Sequence, residues 1–412
     1  YLAGKARKRG ILWCVKTGLN LLLRWATRNL NPKIERILSP MFGLIPIRFL
    51  TSRHLMTRVG HICLEPDMYL KSGILGWRPN KTTFWLITSP PVMPTMVKYW
   101  SQYITIIENR FLVQLLRPFS HLPGLKYDTF KTAYVLGKMH MSISPAMYEI
   151  QRAYESEFDG VPLLNLDRSD TLEGRLFLER AGMPSDSWFV CVHARESGYR
   201  NMTHQAYRDS DITTYLPAIQ AIVERGGWVF RMGDPSMKSL PPMCQVVDYV
   251  HTSERNEKTD AFLYSQCRFI LGTSSGPHNV GFVFGVPSVL VNFTPMGEGP
   301  LCRKDLWIPK LYWSEKAQRY LTFRESLQSQ YRRFISTNTL ADWGISVVDN
   351  TPKEIADITV EMINRLDYGD NYSDHAEELQ TCFKGFWEYD PRWATSARVG
   401  TQFLKDRSDL LV

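Results

Sequence analysis

The stretch Leu271-Gly272-Thr273-Ser274-Ser275-Gly276-Pro277-His278 decides the fold. An apolar run, 269–272, leads into it, and Phe284-Gly285-Val286-Pro287 follows before a second apolar run at 288–293. An apolar strand, a loop of small residues and a helix leading to the next strand are typical of a parallel α/β sheet. Small residues let backbone N–H groups approach a ligand, and a helix start attracts a diphosphate. The alternative is an ordinary turn in which glycine supplies conformational freedom.

The same rhythm of strands and helices extends in both directions from this loop. The pattern predicts strands at 83–88, 188–193, 228–231, 269–272, 288–293 and 344–348, and helices at 96–107, 214–225 and from Thr351-Pro352 onward. A chain of 412 residues with 44% hydrophobic residues is long and apolar enough for more than one core. We therefore predict an α/β protein with two Rossmann-like domains and a cleft between them.

The domain limits follow from where the pattern weakens. We predict a basic amphipathic N-terminal segment at 1–50, a first Rossmann-like domain at 51–165, and a second Rossmann-like domain at 166–355. Helices at 356–412 then fold back toward the first of these domains. The linker is expected between residues 140 and 185, where Ser169-Asp170 resembles the N-cap of a helix.

The charge is uneven along the chain. The net charge is +8, and eight basic residues precede the first acidic one, Glu35. A basic amphipathic helix here would lie on an anionic membrane surface, each Lys or Arg contributing about 1 kcal/mol; the alternative is a helix packed on its own domain. No apolar run is long enough to span a bilayer, because Lys16, Arg24 and Arg28 interrupt the first one.

The cysteines suggest neither a zinc site nor a set of disulfides. Their number is odd, and none forms a C-x-x-C pair: Cys14, Cys63, Cys191, Cys244, Cys267, Cys302 and Cys382. A reducing cytoplasm is therefore expected, with peripheral attachment to the inner face of the cytoplasmic membrane. We predict no cofactor and no metal. We also predict no nucleic-acid partner, because no nucleic-acid motif is present.

Several polar residues directly follow predicted strands, where ligands bind in doubly wound sheets. His193 and Arg195 come after one strand, with Tyr199 and Arg200 in the same loop, and Arg231 ends another before Gly233-Asp234 turns the chain. Arginine can hold a phosphate by two parallel hydrogen bonds. The alternatives are an ion pair of Arg195 with Glu196 or another carboxylate, a structural role for His193, and a buried ion pair for Arg231.

Asp209-Ser210-Asp211 has the form of a metal-binding D-x-D motif. Tyr207-Arg208 precedes it instead of an apolar strand, and a helix follows. We therefore favour helix capping by these residues over metal binding. Arg208 would reach a phosphate or pair with Asp211, and we favour the pair.

The first domain offers one concentration of acid-base residues. The run 58–67 reads as a strand with Gly60-His61 near its start and carboxylates beyond it. Removing the proton of an acceptor hydroxyl requires a carboxylate or an imidazole. The candidate catalytic residues are His61, Glu65 and Asp67.

Four stretches resemble known glycosyltransferases. Residues 272–289 resemble the donor-phosphate loop of heptosyltransferase-type enzymes with the GT-B fold, although His278 here directly follows Pro277. The H-A-R-E-S-G-Y-R, R-M-G-D-P and C-R-F runs at 193–200, 231–235 and 267–269 resemble a bacterial glycosyltransferase family associated with surface-polysaccharide genes. The H-x-R element is similar to that of fucosyltransferase-like GT-B enzymes, which implies that Arg195 holds the donor diphosphate.

These resemblances imply a metal-independent glycosyltransferase of surface-polysaccharide biosynthesis. Its partners would be a nucleotide-sugar donor, bound by a nucleotide-sugar-binding domain at 166–355, and a glycan or lipid-linked acceptor, bound by an acceptor domain at 51–165. The alternatives are a nucleotide-sugar 2-epimerase and a non-catalytic carbohydrate-binding or scaffold module. The expected donor-binding residues are His193, Arg195, Tyr199, Arg200, Arg231, Gly233, Asp234, Thr273, Ser274, Ser275, Gly276 and His278.

Overall fold

The computed structural model describes residues 39–52, 54–140, 142–196, 203–334, 336–389 and 391–412. Most of the predicted basic N-terminal segment lies outside the described residues, and so do Tyr199 and Arg200. Among the described helices, none combines the length and apolar composition needed to cross a membrane.

The chain divides into two compact units between Ala146 and Met147. The division falls in the first turn of the helix Ile143–Phe158, earlier than the limit predicted at residues 165 and 166. Beyond the division, the Tyr148 side chain belongs to the core of the second unit and donates to the carbonyl of Gly299 at 2.7 Å. Each unit is α/β with a parallel sheet, which confirms the predicted fold class.

The first unit is built on a four-stranded parallel sheet in the order β3-β2-β1-β4. Its elements are β1 (Ile47–Thr51), α1 (Val59–Ile74), β2 (Thr82–Leu86), α2 (Pro94–Trp100), β3 (Thr105–Ile107), α3 (Arg110–Leu116), β4 (Lys126–Asp128), β5 (Ala133–Val135) and β6 (Lys138–His140). Phe49 and Leu86 of the sheet pack with Val113 and Leu125 in a small core. Strands β5 and β6 form a separate antiparallel pair.

Two predictions in this unit are wrong. The run 58–67 belongs to the helix α1 and is not a strand, because its apolar residues continue at helical spacing: Ile62 and Cys63 are buried, as are Tyr69 and Leu70 seven residues later. The helix predicted at 96–107 ends at Trp100, and residues 105–107 form the edge strand β3.

The side chain of Trp100 supplies a hydrogen bond that is missing from the backbone of α1. Pro66 lies inside this helix and has no N–H, so the carbonyl of Ile62, four residues earlier, lacks its usual helical partner. Nε1 of Trp100 donates to that carbonyl at 2.8 Å, and the Trp100 side chain is fully buried. The indole therefore replaces the missing hydrogen bond and ties the end of α2 to the middle of α1.

The second unit is built on a seven-stranded parallel sheet in the order β16-β12-β11-β10-β7-β8-β9. Its strands are β7 (Phe189–His193), β8 (Trp228–Arg231), β9 (Val246–Val247), β10 (Ile270–Gly272), β11 (Ser288–Phe293), β12 (Leu306–Pro309), β13 (Leu311–Ser314), β14 (Arg319–Tyr320), β15 (Ile345–Val348) and β16 (Arg398–Val399). Strands β14, β13 and β15 form a smaller antiparallel sheet. The strands predicted at 228–231 and 288–293 are confirmed.

Helices cover this sheet. They are α4 (Ile143–Phe158), α5 (Arg168–Arg180), α6 (Leu216–Val223), α7 (Glu257–Gln266), α8 (His278–Val283), α9 (Phe323–Gln328), α10 (Thr337–Asp342), α11 (Pro352–Tyr368), α12 (Asp374–Gly385) and α13 (Thr401–Asp406). The predicted start of α11 is confirmed. The Thr351 side chain accepts from the backbone N–H of Glu354, and the Glu354 side chain accepts from the backbone N–H of Thr351. The helix predicted at 214–225 is shorter, with a 3-10 turn, Ile212–Tyr215, before α6.

We expect Trp100→Phe to lower the free energy of unfolding by more than the packing loss alone. It leaves the Ile62 carbonyl buried without a donor, which costs about 1–3 kcal/mol. Pro66→Ala restores a backbone N–H to the helix, so the same Trp100 substitution should cost less in that background. Urea unfolding of the wild type, both single variants and the double variant measures this as a double-mutant cycle. An equal cost in both backgrounds would contradict the role of the indole.

Candidate functional site

Two neighbouring strands of the second unit end side by side. Strands β7 and β10 pair in parallel, with Gly272 opposite His193. Oγ of Ser275 lies 3.2 Å from Nδ1 of His193. A Cβ at position 272 would lie 2.9 Å from the carbonyl oxygen of His193, so this close approach requires glycine. The carboxyl ends of these two strands therefore adjoin in the sheet.

The loop between β10 and α8 is buried and holds unused polar atoms. Thr273 is 1% and Ser274 9% exposed, and the Ser274 hydroxyl donates to the carbonyl of Thr294 at 3.0 Å. Gly276 then leads the chain toward α8. Oγ1 of Thr273 and Nδ1 of His278 are buried without a hydrogen-bond partner among the described residues. Buried polar atoms are nearly always paired, so such atoms mark places where a ligand or water completes the structure.

Arg195 is held by a carboxylate, but part of its guanidinium is unused. Nη1 donates to Oδ1 of Asp209 and to the carbonyl of Gln205, the latter at 3.0 Å. The alternative of a carboxylate partner is therefore confirmed, and that partner is Asp209. Within the described ranges, Nε and Nη2 of Arg195 make no hydrogen bond. The guanidinium is therefore fixed on one side by Asp209 and Gln205.

A buried lysine completes this cluster, and the sequence analysis missed it. Lys310 directly follows β12, is 1% exposed, and donates to the Asp209 carbonyl at 2.6 Å. It also pairs with Asp349 at 2.7 Å. Burial lowers the pKa of Lys310 and raises that of Asp209, against the opposing effects of Asp349 and Arg195 respectively. The sequence analysis selected residues that directly follow predicted strands. It did not predict β12, and so it did not select Lys310.

Arg231 forms the ion pair that was considered as an alternative to ligand binding. Its side chain is fully buried, Nη2 lies 3.1 Å from Oε1 of Glu196, and it donates to the Lys238 carbonyl at 3.1 Å. Gly233 has a φ of +148° and Asp234 accepts from the backbone N–H of Ser236 at 3.1 Å, so these two residues shape a turn. This group holds the end of β8 against Glu196 and Lys238.

Arg208 lies at the loop, against expectation. Its Nη2 donates to the carbonyl of Ser274. The favoured pairing with Asp211 is wrong, because Asp211 caps the 3-10 turn by accepting from the Thr213 N–H at 2.9 Å and pairs with Lys238 at 3.4 Å. The capping prediction for Asp211 is confirmed. Arg208 does not follow a strand, so the search for polar residues at strand ends did not select it.

The two histidines beside the loop stay neutral. Burial and, to a smaller extent, the charge of Arg231 lower the pKa of His193 to about 3. Burial likewise lowers the pKa of His278 to about 4. Both rings therefore act near neutral pH as uncharged hydrogen-bonding groups, with one donor and one acceptor nitrogen each.

The first unit carries an imidazole anchored by a carboxylate. Nδ1 of His61 lies 2.7 Å from Oε1 of Glu65, one helical turn away in α1, and the other oxygen of Glu65 accepts from the Thr129 hydroxyl. The His61 ring stacks on that of His54 at 4.8 Å and lies 5.4 Å from that of Phe130. His54 follows β1, and Thr129 and Phe130 follow β4. This cluster therefore lies at the carboxyl-end edge of the sheet, where ligands bind in such folds.

The three candidate catalytic residues have different surroundings. The His61 side chain is 28% exposed, whereas that of Glu65 is fully buried. Asp67 points to another side of α1, where it is fully buried and pairs with Lys71 at 2.7 Å. Burial raises the pKa of Asp67, against the opposing charge of Lys71. Of the three, His61 is the one with an accessible ring.

The part of the chain that the structure describes holds no cluster of three or more His, Cys, Asp or Glu side chains placed to bind a metal. Six cysteines fall in that part, and all of them are free thiols.

No family model matches the chain, and no curated protein matches it. Solved structures with a partly similar fold include a family 9 glycosyltransferase from Veillonella parvula DSM 2008, at 11% identity over 60% of this chain and 81% of that chain, with a TM-score of 0.37. ADP-heptose LPS heptosyltransferase II from E. coli aligns at 13% identity over 64% and 89%, with a TM-score of 0.34. The iron-containing dodecameric glycosyltransferase TibC from enterotoxigenic E. coli H10407 aligns at 12% identity over 62% and 59%, with a TM-score of 0.34. These scores are low.

We expect the free energy of unfolding to fall as the pH drops from about 6.5 toward 3. The unfolded chain binds a proton on His193 in this range, whereas the folded protein, with its lowered pKa, does not. One such histidine contributes a slope of up to about 1.4 kcal/mol per pH unit. His193→Asn should therefore give a shallower dependence between about pH 4 and 6, measured by urea unfolding at several pH values.

The matched control is His375→Asn, since the His375 side chain is 65% exposed. This variant should keep the wild-type slope. If His193→Asn also keeps it, the imidazole is not held neutral by the fold.

Proposed function

We propose that the protein is a glycosyltransferase that uses a nucleotide-diphosphate sugar as donor. The observation that carries this proposal is the loop between β10 and α8, which adjoins His193 and contains the unpartnered Thr273 hydroxyl and His278 ring nitrogen. The phosphoryl oxygens of a diphosphate would give both atoms the partners that they lack. The loop also follows the carboxyl end of a central strand in a parallel sheet, the common place for nucleotide ligands.

Two arginines beside this loop supply positive charge for the diphosphate. Arg208 holds the Ser274 carbonyl, and Arg195 keeps Nε and Nη2 for a ligand while Asp209 fixes its position. Charge-assisted bonds from a guanidinium to phosphate are among the stronger hydrogen bonds in proteins. Because negative charge on the diphosphate grows as the sugar leaves, prepositioned donors favour the transition state over the bound substrate. We propose that these groups stabilise the leaving group without a bound metal.

We propose that the first unit supplies the general base. In a single displacement, the acceptor oxygen bonds to the anomeric carbon, the bond from that carbon to the diphosphate oxygen breaks, and the hydroxyl proton passes to a base. His61 suits this role because Oε1 of Glu65 accepts from its Nδ1–H and leaves Nε2 as the basic nitrogen. Glu65 then acts as a positioning residue, and the proton ends on Nε2.

The acceptor is proposed to be a glycan or a lipid-linked glycan of surface-polysaccharide biosynthesis. The support is the resemblance of the 193–200, 231–235 and 267–269 runs to enzymes of that pathway, together with the basic residues that precede Glu35. Those residues would attach the protein to the anionic inner face of the cytoplasmic membrane.

We expect Thr273→Val to separate donor binding from stability. The hydroxyl has no partner within the described part of the chain, so an apolar side chain of the same shape should leave the melting temperature unchanged or raised. The donor loses one hydrogen bond to a charged group, worth about 1.5–3 kcal/mol, so its Kd should rise by about 10- to 150-fold. A thermal-shift panel of UDP-, GDP- and ADP-sugars identifies the donor, and calorimetric titration gives its Kd.

The matched control is Thr213→Val, because the Thr213 side chain lies outside the loop and its backbone N–H keeps the bond to Asp211. This variant should bind the donor like the wild type. The proposal fails if no sugar nucleotide binds the wild type, or if incubation without acceptor yields an epimer of the donor. Loss of activity after treatment with a chelator would contradict metal independence.

We expect His61→Asn to lower kcat by about 10²- to 10⁴-fold, the usual contribution of a general base. Donor Kd should stay unchanged, because the proposed donor loop belongs to the other unit. Glu65→Gln should lower kcat less than His61→Asn does, because it loosens the ring without removing the basic nitrogen. It should also shift the acid limb of the kcat–pH profile.

His54→Asn serves as the comparison, since His54 stacks on the same ring. It should reduce kcat only modestly. A large loss with His54→Asn and none with His61→Asn would assign the proton transfer to the other imidazole.

A further inference from the structure

A cavity of about 560 Å³ lies within the first unit, away from the His61 cluster. It is formed at the amino ends of three strands: Arg48 is the second residue of β1, Lys81 immediately precedes β2, and Lys126 begins β4. His61 lies at the opposite, carboxyl-end edge of the same sheet. The cavity is lined by Ser39, Gly43, Arg48, Pro79, Lys81, His121, Pro123, Gly124, Lys126, Tyr127, Tyr134 and Met139.

The guanidinium of Arg48 is buried and has no counterion among the residues that the structure describes. Arg48 is 5% exposed, and its Nε and Nη1 have no hydrogen-bond partner within the same residues. Nη2 makes a long hydrogen bond, to the hydroxyl of Tyr134 at 3.5 Å. A buried charge without partners is costly, so a structure that retains one has a reason to keep it there.

The aromatic neighbours of Arg48 do not satisfy its N–H groups. Its guanidinium carbon lies 5.0 Å from the ring centre of Tyr127 and 5.5 Å from that of Tyr134. Ring faces attract the cation, but they do not replace oxygen acceptors for the N–H donors in the guanidinium plane. These donors therefore remain available to an oxyanion that enters the cavity.

The cavity wall is positively charged. Arg48, Lys81 and Lys126 line it, and no Asp or Glu is among its lining residues. Nζ of Lys81 donates to the carbonyl of Ile45 at 3.0 Å, which holds that ammonium at the wall. Burial and the charge of Arg48 lower the pKa of Lys81, as expected for cations that share a site without an anion.

We propose that this cavity is a binding site for a phosphate monoester, with Arg48 as its principal ligand. A dianionic phosphate matches several cations better than a carboxylate does, and its oxygens suit the paired donors of a guanidinium. The cavity is within the size range of small-molecule pockets and larger than one phosphate group, so it has room for part of the esterified molecule. The inference does not depend on the glycosyltransferase proposal, because it concerns another edge and other residues.

The test is calorimetric titration of the full chain with inorganic phosphate, glucose 6-phosphate and sodium chloride at matched ionic strength, and vesicle flotation with phosphatidic acid against phosphatidylcholine. We expect phosphate-containing probes to bind the wild type and chloride not to. Arg48→Met should raise the Kd by about 10- to 150-fold. The same variant should melt at or above the wild-type temperature in phosphate-free buffer, because it removes an unpaired buried charge.

Lys126→Met is the second variant, since Lys126 is exposed at the cavity and its replacement should not affect folding. It should raise the Kd by about 2- to 5-fold. Lys131→Met is the matched control, an exposed lysine of the same unit outside the lining, and should bind like the wild type. Thr273→Val should also keep this binding, which separates the cavity from the proposed donor loop.

The two sources of a phosphate monoester give different results. Glucose 6-phosphate binding more tightly than inorganic phosphate indicates a soluble phosphorylated ligand. Flotation with phosphatidic acid that Arg48→Met abolishes indicates a lipid phosphate. The proposal is overturned if no phosphate-containing probe binds the wild type, or if Arg48→Met binds them all unchanged.

Discussion

The parallel pairing of β7 with β10 is the constraint on which the candidate donor site depends. Gly272 lies opposite His193, so close to its carbonyl that a Cβ would lie 2.9 Å from the oxygen. This contact brings the two loops to one edge of the sheet and sets Ser275 beside His193. The pairing is made by backbone hydrogen bonds inside a buried sheet, so it is rigid. Side chains on the two loops are therefore positioned before any ligand arrives.

Burial determines the state of the charges around that edge. Asp209 is enclosed by Arg195 and Lys310, yet burial still raises its pKa, and Lys310 has its own pKa lowered. Removing one member would leave the others uncompensated in a poorly solvated place. The cluster therefore orients Arg195 as much as it stabilises the fold. Such a buried group places a guanidinium more precisely than a surface ion pair does.

The first unit presents different chemistry at the two edges of one sheet. At the carboxyl ends, the His61 imidazole is anchored by a buried carboxylate, an arrangement suited to proton transfer. At the amino ends, Arg48 and two lysines line a cavity without acidic residues, an arrangement suited to holding an anion. Parallel strands separate these edges by their own length, so the two sites can bind independent groups. The hydrogen bond from Trp100 to the Ile62 carbonyl stabilises α1, the helix that carries His61.

The sequence by itself determined the α/β class, the strands around the 271–278 loop and the start of α11, because these depend on local apolar patterns, turn residues and caps. It did not identify α1, because the helical spacing of its buried residues continues beyond the run 58–67 to Tyr69 and Leu70. Nor could it show that Arg195 pairs with Asp209, that Arg208 reaches Ser274, or that Arg48 is buried without an anion. Those facts depend on which distant side chains the sheet brings together and on how far each is removed from water. Charge partners and burial are properties of the folded chain, and only the tertiary structure decided them.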